Sequence, residues 1–219
     1  MTTRVTMSYQ LVPRSYPRMS AGVPPRGALF LPTHTTQTAL LVIDMQVGLV
    51  TGEHAVDHVD RLFARVNDLL ARARAADAAV IYVQHVDVGG GGSAAFQLHP
   101  AISPPLPGEL LIQKRAADAF YATPLHEELA ARGIRPLVMS GCKTEFCIDT
   151  TCRLATNLGY DVTLVHDAHS TTANTVLSAE RIIAHHNCLL DGFGVDEHCV
   201  VVRASSAVTF PATWRDHQM

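Results

Sequence analysis

The chain has 219 residues with a formal net charge of −3, and 47 % of its residues are apolar. This length favours one domain, and the apolar content suffices for a sizeable core and excludes a largely disordered chain. The near-neutral charge argues against a nucleic-acid partner, and no apolar run reaches the roughly 18 residues of a membrane span. Charged residues make up only 17 % of the chain, which predicts a surface partly buried in a homo-oligomer.

The first 37 residues differ in composition from the rest. They contain four arginines, five prolines and no acidic residue. Prolines at this density prevent a long helix, and the segment lacks the apolar stretch of a secretory signal. We therefore divide the chain into an N-terminal arm rich in proline and arginine, residues 1–37, and one domain formed by residues 38–219.

From residue 38 onward, short apolar runs alternate with segments of helical periodicity. The apolar runs predict six strands at 39–44, 79–83, 110–113, 137–140, 162–165 and 200–202. The helical segments lie at 56–70, 124–132, 144–158 and 178–186. This alternation predicts an α/β fold, with a mostly parallel sheet covered by helices on both faces. A glycine run at 89–92 opens a long loop, residues 86–109, for which a flexible cover of a functional site is one possible role.

In a sheet of this kind, ligands bind beyond the carboxyl ends of the strands. Polar side chains or a nucleophile follow five of the predicted strands: Asp44, His85, Lys114, the turn 141–147, and Asp167 with His169. The sequence thus predicts one functional site along this edge of the sheet.

The five cysteines, Cys142, Cys147, Cys152, Cys188 and Cys199, are odd in number and form no Cys-x-x-Cys pair. This pattern argues against a disulfide framework and against a zinc site made of thiolates. It predicts reduced thiols in a cytoplasmic enzyme.

Cys147 is the strongest candidate for a nucleophile, because it is predicted to open a helix just after a strand and a glycine-containing turn. The free N–H groups and the dipole at a helix start favour a thiolate, and the same N–H groups can hold a developing oxyanion. The alternative, which the position alone leaves open, is that Cys147 is a small buried hydrophobic residue, as most free cysteines are.

Asp44 and Lys114 are the charged partners predicted for this thiol, because each ends an apolar strand where an unpaired charge is costly to bury. The lysine can stabilise a thiolate and a carboxylate, and the aspartate can carry a proton to a leaving amine. The alternative is a structural ion pair that closes the edge of the sheet.

Three motifs at these strand ends carry a resemblance to a known family. Residues 41–46 read Leu-Val-Ile-Asp-Met-Gln, residues 113–120 read Gln-Lys-Arg-Ala-Ala-Asp-Ala-Phe, and residues 141–147 fit Gly-x-x-Thr-x-x-Cys. With further matches up to residue 171, they resemble the isochorismatase-like cysteine hydrolases over roughly residues 38–210. Each motif alone is weak, but three in the right order at the right strand ends are specific.

The resemblance implies a three-layer α-β-α, Rossmann-like fold with a six-stranded parallel sheet in the order 3-2-1-4-5-6. It implies Asp44, Lys114 and Cys147 as a catalytic triad, with the backbone N–H groups of Lys143 and Cys147 as the oxyanion hole. It further implies a cis peptide bond before Lys143 and assembly into dimers or tetramers.

The chain departs from parts of the family in ways that narrow the expected chemistry. Nicotinamidases of this group carry an Asp-x-His metal cluster after the second strand, whereas residues 84–89 show no such pattern, so we expect no catalytic metal and no cofactor. True isochorismatases lack the nucleophilic cysteine, and its presence favours amide chemistry of the kind found in hydrolases related to streptothricin hydrolase. Position 143 is often small in the family; a lysine there can lower the pKa of Cys147, select an anionic substrate or point to solvent.

The resulting hypothesis is a cysteine hydrolase that cleaves an amide, lactam or carbamoyl C–N bond of a small molecule through a thioester. Gln46, Phe120, Tyr121 and Thr144 are predicted to bind the substrate, although Phe120 and Tyr121 can equally be ordinary core aromatics. Two alternatives stay open. One is a hydrolase of the same fold that cleaves a vinyl ether without covalent catalysis, and the other is a non-catalytic domain that binds a small ligand.

Overall fold

The computed structural model describes residues 37–53 and 55–210. Apart from Gln37, the predicted N-terminal arm lies outside the described residues, so its boundary at residue 37 stays a prediction. Within the described ranges, no helix is long and apolar enough to cross a membrane.

A seven-stranded sheet runs through the domain in the strand order β3-β2-β1-β4-β5-β7-β6. Its strands are β1 (Ala39–Ile43), β2 (Ala79–His85), β3 (Leu110–Lys114), β4 (Pro136–Cys142), β5 (Asp161–Ser170), β6 (Gly194–Val195) and β7 (His198–Arg203). All neighbouring strands pair in parallel except β6 and β7. The α/β class and the order of the six predicted strands are confirmed, with β7 as the predicted sixth strand.

The predicted number of strands is wrong by one, because the chain forms a short hairpin before β7. Gly194 and Val195 pair antiparallel with Cys199 and His198, and Asp196 turns the chain with a φ of 55°. A two-residue strand is too short to show the alternation of apolar and polar residues by which strands are recognised. The hairpin lies at the edge of the sheet opposite to β3.

The helices differ from the prediction mainly after β4. They are α1 (Val47–Val50), α2 (Val59–Ala75), α3 (Leu125–Ala131), α4 (Asp149–Asn157) and α5 (Ala179–Leu190), with a 3-10 turn at Ser205–Ala207. The single helix predicted for 144–158 is instead a five-residue π-helix, Thr144–Ile148, followed by α4. Short π-helical turns are frequent at functional sites, and this one contains Cys147.

The central strand β1 is enclosed on both faces. Its odd-numbered residues belong to the core beneath α3 and α4, and its even-numbered residues belong to the core beneath α2. All five residues of β1 are at most 1 % exposed. Asp44 directly follows this strand. A charge buried there is strongly destabilising unless a charged or polar group pairs with it.

Candidate active site

The three residues of the predicted triad lie at the carboxyl ends of parallel strands. Asp44 follows β1, Lys114 ends β3, and Cys147 lies in the π-helix that follows β4. Asp44 has a left-handed backbone with a φ of 54°, which aspartate tolerates better than most residues. Its N–H donates to the carbonyl of Val83 in β2 at 2.8 Å, so the turn after β1 is fixed against the neighbouring strand.

The ammonium group of Lys114 joins the other two members of the triad. Its Nζ lies 2.8 Å from Oδ2 of Asp44 and donates a 3.0 Å hydrogen bond to Sγ of Cys147. A third contact, of 3.1 Å, reaches the carbonyl oxygen of Ala116. Asp44 and Lys114 are at most 1 % exposed and Cys147 is 6 % exposed. The cluster is therefore nearly closed to bulk solvent.

Burial controls the charge states in this cluster. The pKa of Asp44 is raised by loss of hydration, which the charge of Lys114 offsets only in part. The pKa of Cys147 is raised to about 12, first by burial and then by the Asp44 carboxylate, which together outweigh Lys114. These shifts favour the thiol form of Cys147, which is the opposite of the direction that the helix start alone suggests. A side-chain hydrogen bond joins Cys147 to the Asp44 carboxylate, so Asp44 can accept the thiol proton.

Alkylation of the free protein tests this charge state. At pH 8, a thiol with a pKa of about 12 is ionised to roughly one part in ten thousand, so iodoacetamide should modify the exposed Cys188 long before Cys147. Asp44→Asn removes the charge that opposes ionisation and leaves Lys114 in place. We expect Cys147 of this variant to react about tenfold faster or more, measured by peptide mass spectrometry over time. An unchanged rate in Asp44→Asn, with the surface variant Glu180→Gln as control, would contradict the assigned cause.

The turn between β4 and the π-helix contains the Cys142–Lys143 cis peptide bond that the resemblance implies. The ammonium of Lys143 donates to Oγ1 of Thr172 at 3.1 Å. The first N–H groups of a helix have no carbonyl one turn earlier to bond. The assignment of the Lys143 and Cys147 N–H groups to an oxyanion hole stays a prediction.

Thr144, which is predicted to bind substrate, is buried and engages a histidine. Its hydroxyl lies 2.9 Å from Nδ1 of His169, whose Nε2 lies 2.9 Å from Oδ1 of Asn187. Asn187 donates its amide N–H to the carbonyl of His166, so its Oδ1 is an acceptor and His169 carries its proton on Nε2. Burial lowers the pKa of His169 to about 4. The neutral ring thus accepts a hydrogen bond from the hydroxyl of Thr144, and this bond fixes the first residue of the π-helix.

The strand β5 is longer than predicted, and this places His169 behind the catalytic turn. The prediction ends the strand at residue 165, whereas β5 continues to Ser170 after an irregularity in its pairing with β4. His169 and Asn187 border a cavity of about 250 Å³ whose lining does not include the triad. These contacts link residues far apart in sequence, so the motif at 167–171 alone does not reveal them.

Gln46, also predicted to bind substrate, is buried and bonds to backbone. Its Nε2 donates to the carbonyl of His85, and its Oε1 accepts from the N–H of the same residue. The carbonyls of residues 95–97 accept hydrogen bonds from residues 46–48. This part of the 86–109 loop is therefore hydrogen-bonded to the chain that follows β1.

The two aromatic residues after β3 occupy different environments. Phe120 packs in the core, with its ring centroid 5.5 Å from that of Tyr160. Tyr121 is 56 % exposed, and the guanidinium carbon of Arg115 lies 5.9 Å from its ring centroid. Contact with a substrate stays a prediction for both, as it does for Gln46 and Thr144.

His85 is among the strand-end residues from which the site is predicted, but the sequence assigns it no role in catalysis. It ends β2 in register with Lys114 on β3. One of its ring nitrogens lies within 4.8 Å of a carboxylate oxygen of Asp44 and of Sγ of Cys147. The signal that identifies Asp44 and Lys114, a polar residue at the end of an apolar strand, also finds His85.

Asp44, His85 and Cys147 together offer three possible metal ligands. The Lys114 ammonium lies 2.8 Å from Oδ2 of Asp44 and 3.0 Å from Sγ of Cys147, and its charge would repel a metal cation bound by these groups. A second such group in the described part of the chain is at least partly exposed: Asp57, His58 and Glu180. The expectation of no catalytic metal stays a prediction.

Known proteins share this sequence pattern and this fold. The sequence profile of the isochorismatase domain matches residues 38–182. Streptothricin hydrolase from Streptomyces noursei is 37 % identical to this chain, over 70 % of this chain and 60 % of that enzyme. The ureidoacrylate amidohydrolase RutB of Variovorax paradoxus is 27 % identical, over 63 % of this chain and 70 % of the relative. The match thus spans less than two thirds of the streptothricin hydrolase.

The fold is also found in solved structures. An isochorismatase from Pseudomonas putida superposes with a TM-score of 0.71 at 29 % identity, over 81 % of this chain and 92 % of that protein. The parallel sheet with helices on both faces is therefore the architecture that this chain shares with known hydrolases.

Proposed function

The chain belongs to the isochorismatase family, and on this premise we propose that it is a cysteine hydrolase acting on a small molecule. The bond cleaved is an amide, lactam or carbamoyl C–N bond, and the intermediate is a thioester of Cys147. The observation that carries the proposal is the position of Lys114, whose Nζ is 2.8 Å from Asp44 and 3.0 Å from Cys147. The related streptothricin hydrolase and ureidoacrylate amidohydrolase support the hydrolytic class.

The first half of the reaction moves one proton and one negative charge within the triad. Asp44 takes the proton of Cys147, and the thiolate attacks the carbonyl carbon of the substrate. Before the transfer the negative charge is on the carboxylate, and afterwards it is on the sulfur. Lys114 contacts both groups, so one ammonium stabilises the charge at either end of the transfer.

The tetrahedral intermediate then breaks down to the thioester. The N–H groups of Lys143 and Cys147 hold the oxyanion, and Asp44 returns its proton to the leaving nitrogen. The C–N bond breaks, the amine or ammonia departs, and the acyl group stays on Sγ of Cys147. Water finally hydrolyses the thioester and restores the thiol.

Assembly and location remain part of the proposal. A homo-oligomer of two or four subunits is proposed from the low charged fraction of the chain, 17 %. The cytoplasmic location stays a prediction.

A panel of small amides, lactams and ureido compounds, assayed for release of amine or ammonia, tests the proposed function. Cys147→Ala removes the nucleophile, so turnover of any substrate found should fall by about 1,000-fold or more while the free energy of unfolding changes little. Cys199→Ala, at a thiol distant from the cluster in sequence, should keep full activity. Undiminished hydrolysis by Cys147→Ala would refute covalent catalysis.

A further inference from the structure

His85 is the member of the cluster that reaches solvent. Its side chain is 23 % exposed, whereas the side chains of Asp44 and Lys114 are fully buried and Cys147 is 6 % exposed. Among the described residues at the carboxyl ends of β1, β2 and β3, His85 therefore connects the enclosed triad with bulk water.

The position of His85 is set by rigid elements. It pairs in register with Lys114 across β2 and β3. The buried amide of Gln46 binds the backbone of His85 on both sides, accepting from its N–H at 2.8 Å and donating to its carbonyl at 3.0 Å. On the outer side, Nε2 of His85 lies 3.7 Å from Oδ2 of Asp87. The imidazole thus stands between the surface and the reacting sulfur.

The second half of the proposed reaction needs a base in this place. Once the acyl group is on Cys147, the water that attacks it must enter from solvent. Once Asp44 has given its proton to the leaving nitrogen, its buried carboxylate is paired with the Lys114 ammonium, 2.8 Å from Oδ2. A ring nitrogen of His85 lies within 4.8 Å of the sulfur, a separation that one bridging water spans.

We propose that His85 is the general base that activates water for hydrolysis of the Cys147 thioester, while Asp44 serves the acylation step. This inference rests on the proposed function, because it presupposes the thioester. It assigns the two half-reactions to different residues of one site.

The proton that His85 takes up in this step is returned within the same cluster. His85 takes one proton from the attacking water, and the oxygen forms a bond to the thioester carbonyl carbon. The C–S bond then breaks, which releases the carboxylic acid and leaves a thiolate on Cys147 beside the Lys114 ammonium. The protonated imidazole returns its proton to the sulfur, so thiol and neutral His85 are both restored.

The activated ester p-nitrophenyl acetate separates the two half-reactions without knowledge of the natural substrate. Release of nitrophenolate in the first turnover reports acylation of Cys147, and the later steady rate reports deacylation. In His85→Gln, we expect the first-turnover rate to stay within about threefold of the parent protein and the steady rate to fall by about 100-fold. Intact-mass spectra of quenched samples should then show a protein that stays heavier by one acetyl group.

Matched variants make the outcomes distinct. His185→Gln changes an exposed histidine on α5 and should leave both phases unchanged, and His85→Asn should repeat the result of His85→Gln. A retained first-turnover rate itself shows that the variant is folded. A steady rate equal to that of the parent would overturn the proposal and favour Asp44 as the base in both half-reactions. An equal slowing of both phases would also overturn it. If the parent protein forms no thioester, its Cys147 carries no acetyl group at any time. That result would contradict the proposed function itself.

Discussion

Lys114→Met is expected to lower the free energy of unfolding by about 3–5 kcal/mol, because it leaves Asp44 without its partner in a fully buried site. Asp44→Asn should have an effect of similar size, since the Lys114 ammonium then loses the carboxylate 2.8 Å away. Both variants should also lose hydrolytic activity. The measurement is urea-induced unfolding of each variant, together with the amine-release assay.

The double variant Asp44→Asn/Lys114→Met separates stability from catalysis. It removes both charges, so no unpaired ion remains buried, and its stability should return to within about 1 kcal/mol of the parent. It should nevertheless be inactive. Arg132→Met, which breaks the half-exposed pair with Glu128, is the control and should cost less than about 1 kcal/mol. A double variant as unstable as the sum of the two single variants would show that the charges are not coupled.

Gly141→Ala is expected to prevent folding or to cost more than about 4 kcal/mol. A Cβ at this position would lie 1.9 Å from the carbonyl oxygen of Ile43, and the φ of Gly141 is +119°. Gly141 pairs with Ile43 in the register of β4 and β1, so neither backbone can move away without breaking the ladder. The loss should appear as a low soluble yield and a reduced midpoint of chemical unfolding.

Gly133→Ala provides the comparison for this effect. Gly133 also has a positive φ, +65°, but no heavy atom lies within 4 Å of an added Cβ. Backbone strain alone should therefore cost about 1–2 kcal/mol. Equal losses in the two variants would mean that the contact with Ile43 does not decide the outcome.

Most of the site could be predicted from the sequence because its charged residues lie at the ends of strands. Asp44 and Lys114 stand out because each ends an apolar strand, and a parallel sheet brings such ends to one edge. The order of the strands followed from the family resemblance, since periodicity shows strands but not their neighbours. The hairpin of β6 is too short to leave any periodic signal.

Properties that depend on distant residues could not be predicted in the same way. The pKa of Cys147 is set by burial and by Asp44, about 100 residues away in the chain; a helix-start argument gives the opposite direction. Likewise, the partners of Gln46 lie 39 and 50 residues along the chain. The packing of the domain therefore determines the charge states and contacts of these side chains. The local sequence determines only that the reactive groups lie at strand ends.

Rapid acid quenching during turnover, followed by peptide mass spectrometry, is the most direct test of covalent catalysis by Cys147. With a substrate from the amide panel, the peptide that contains Cys147 should carry the acyl part of that substrate within the first turnover, and Cys147→Ala should carry none. Product formation with unmodified Cys147 at every time point, or with the acyl group on another residue, would contradict the proposed mechanism.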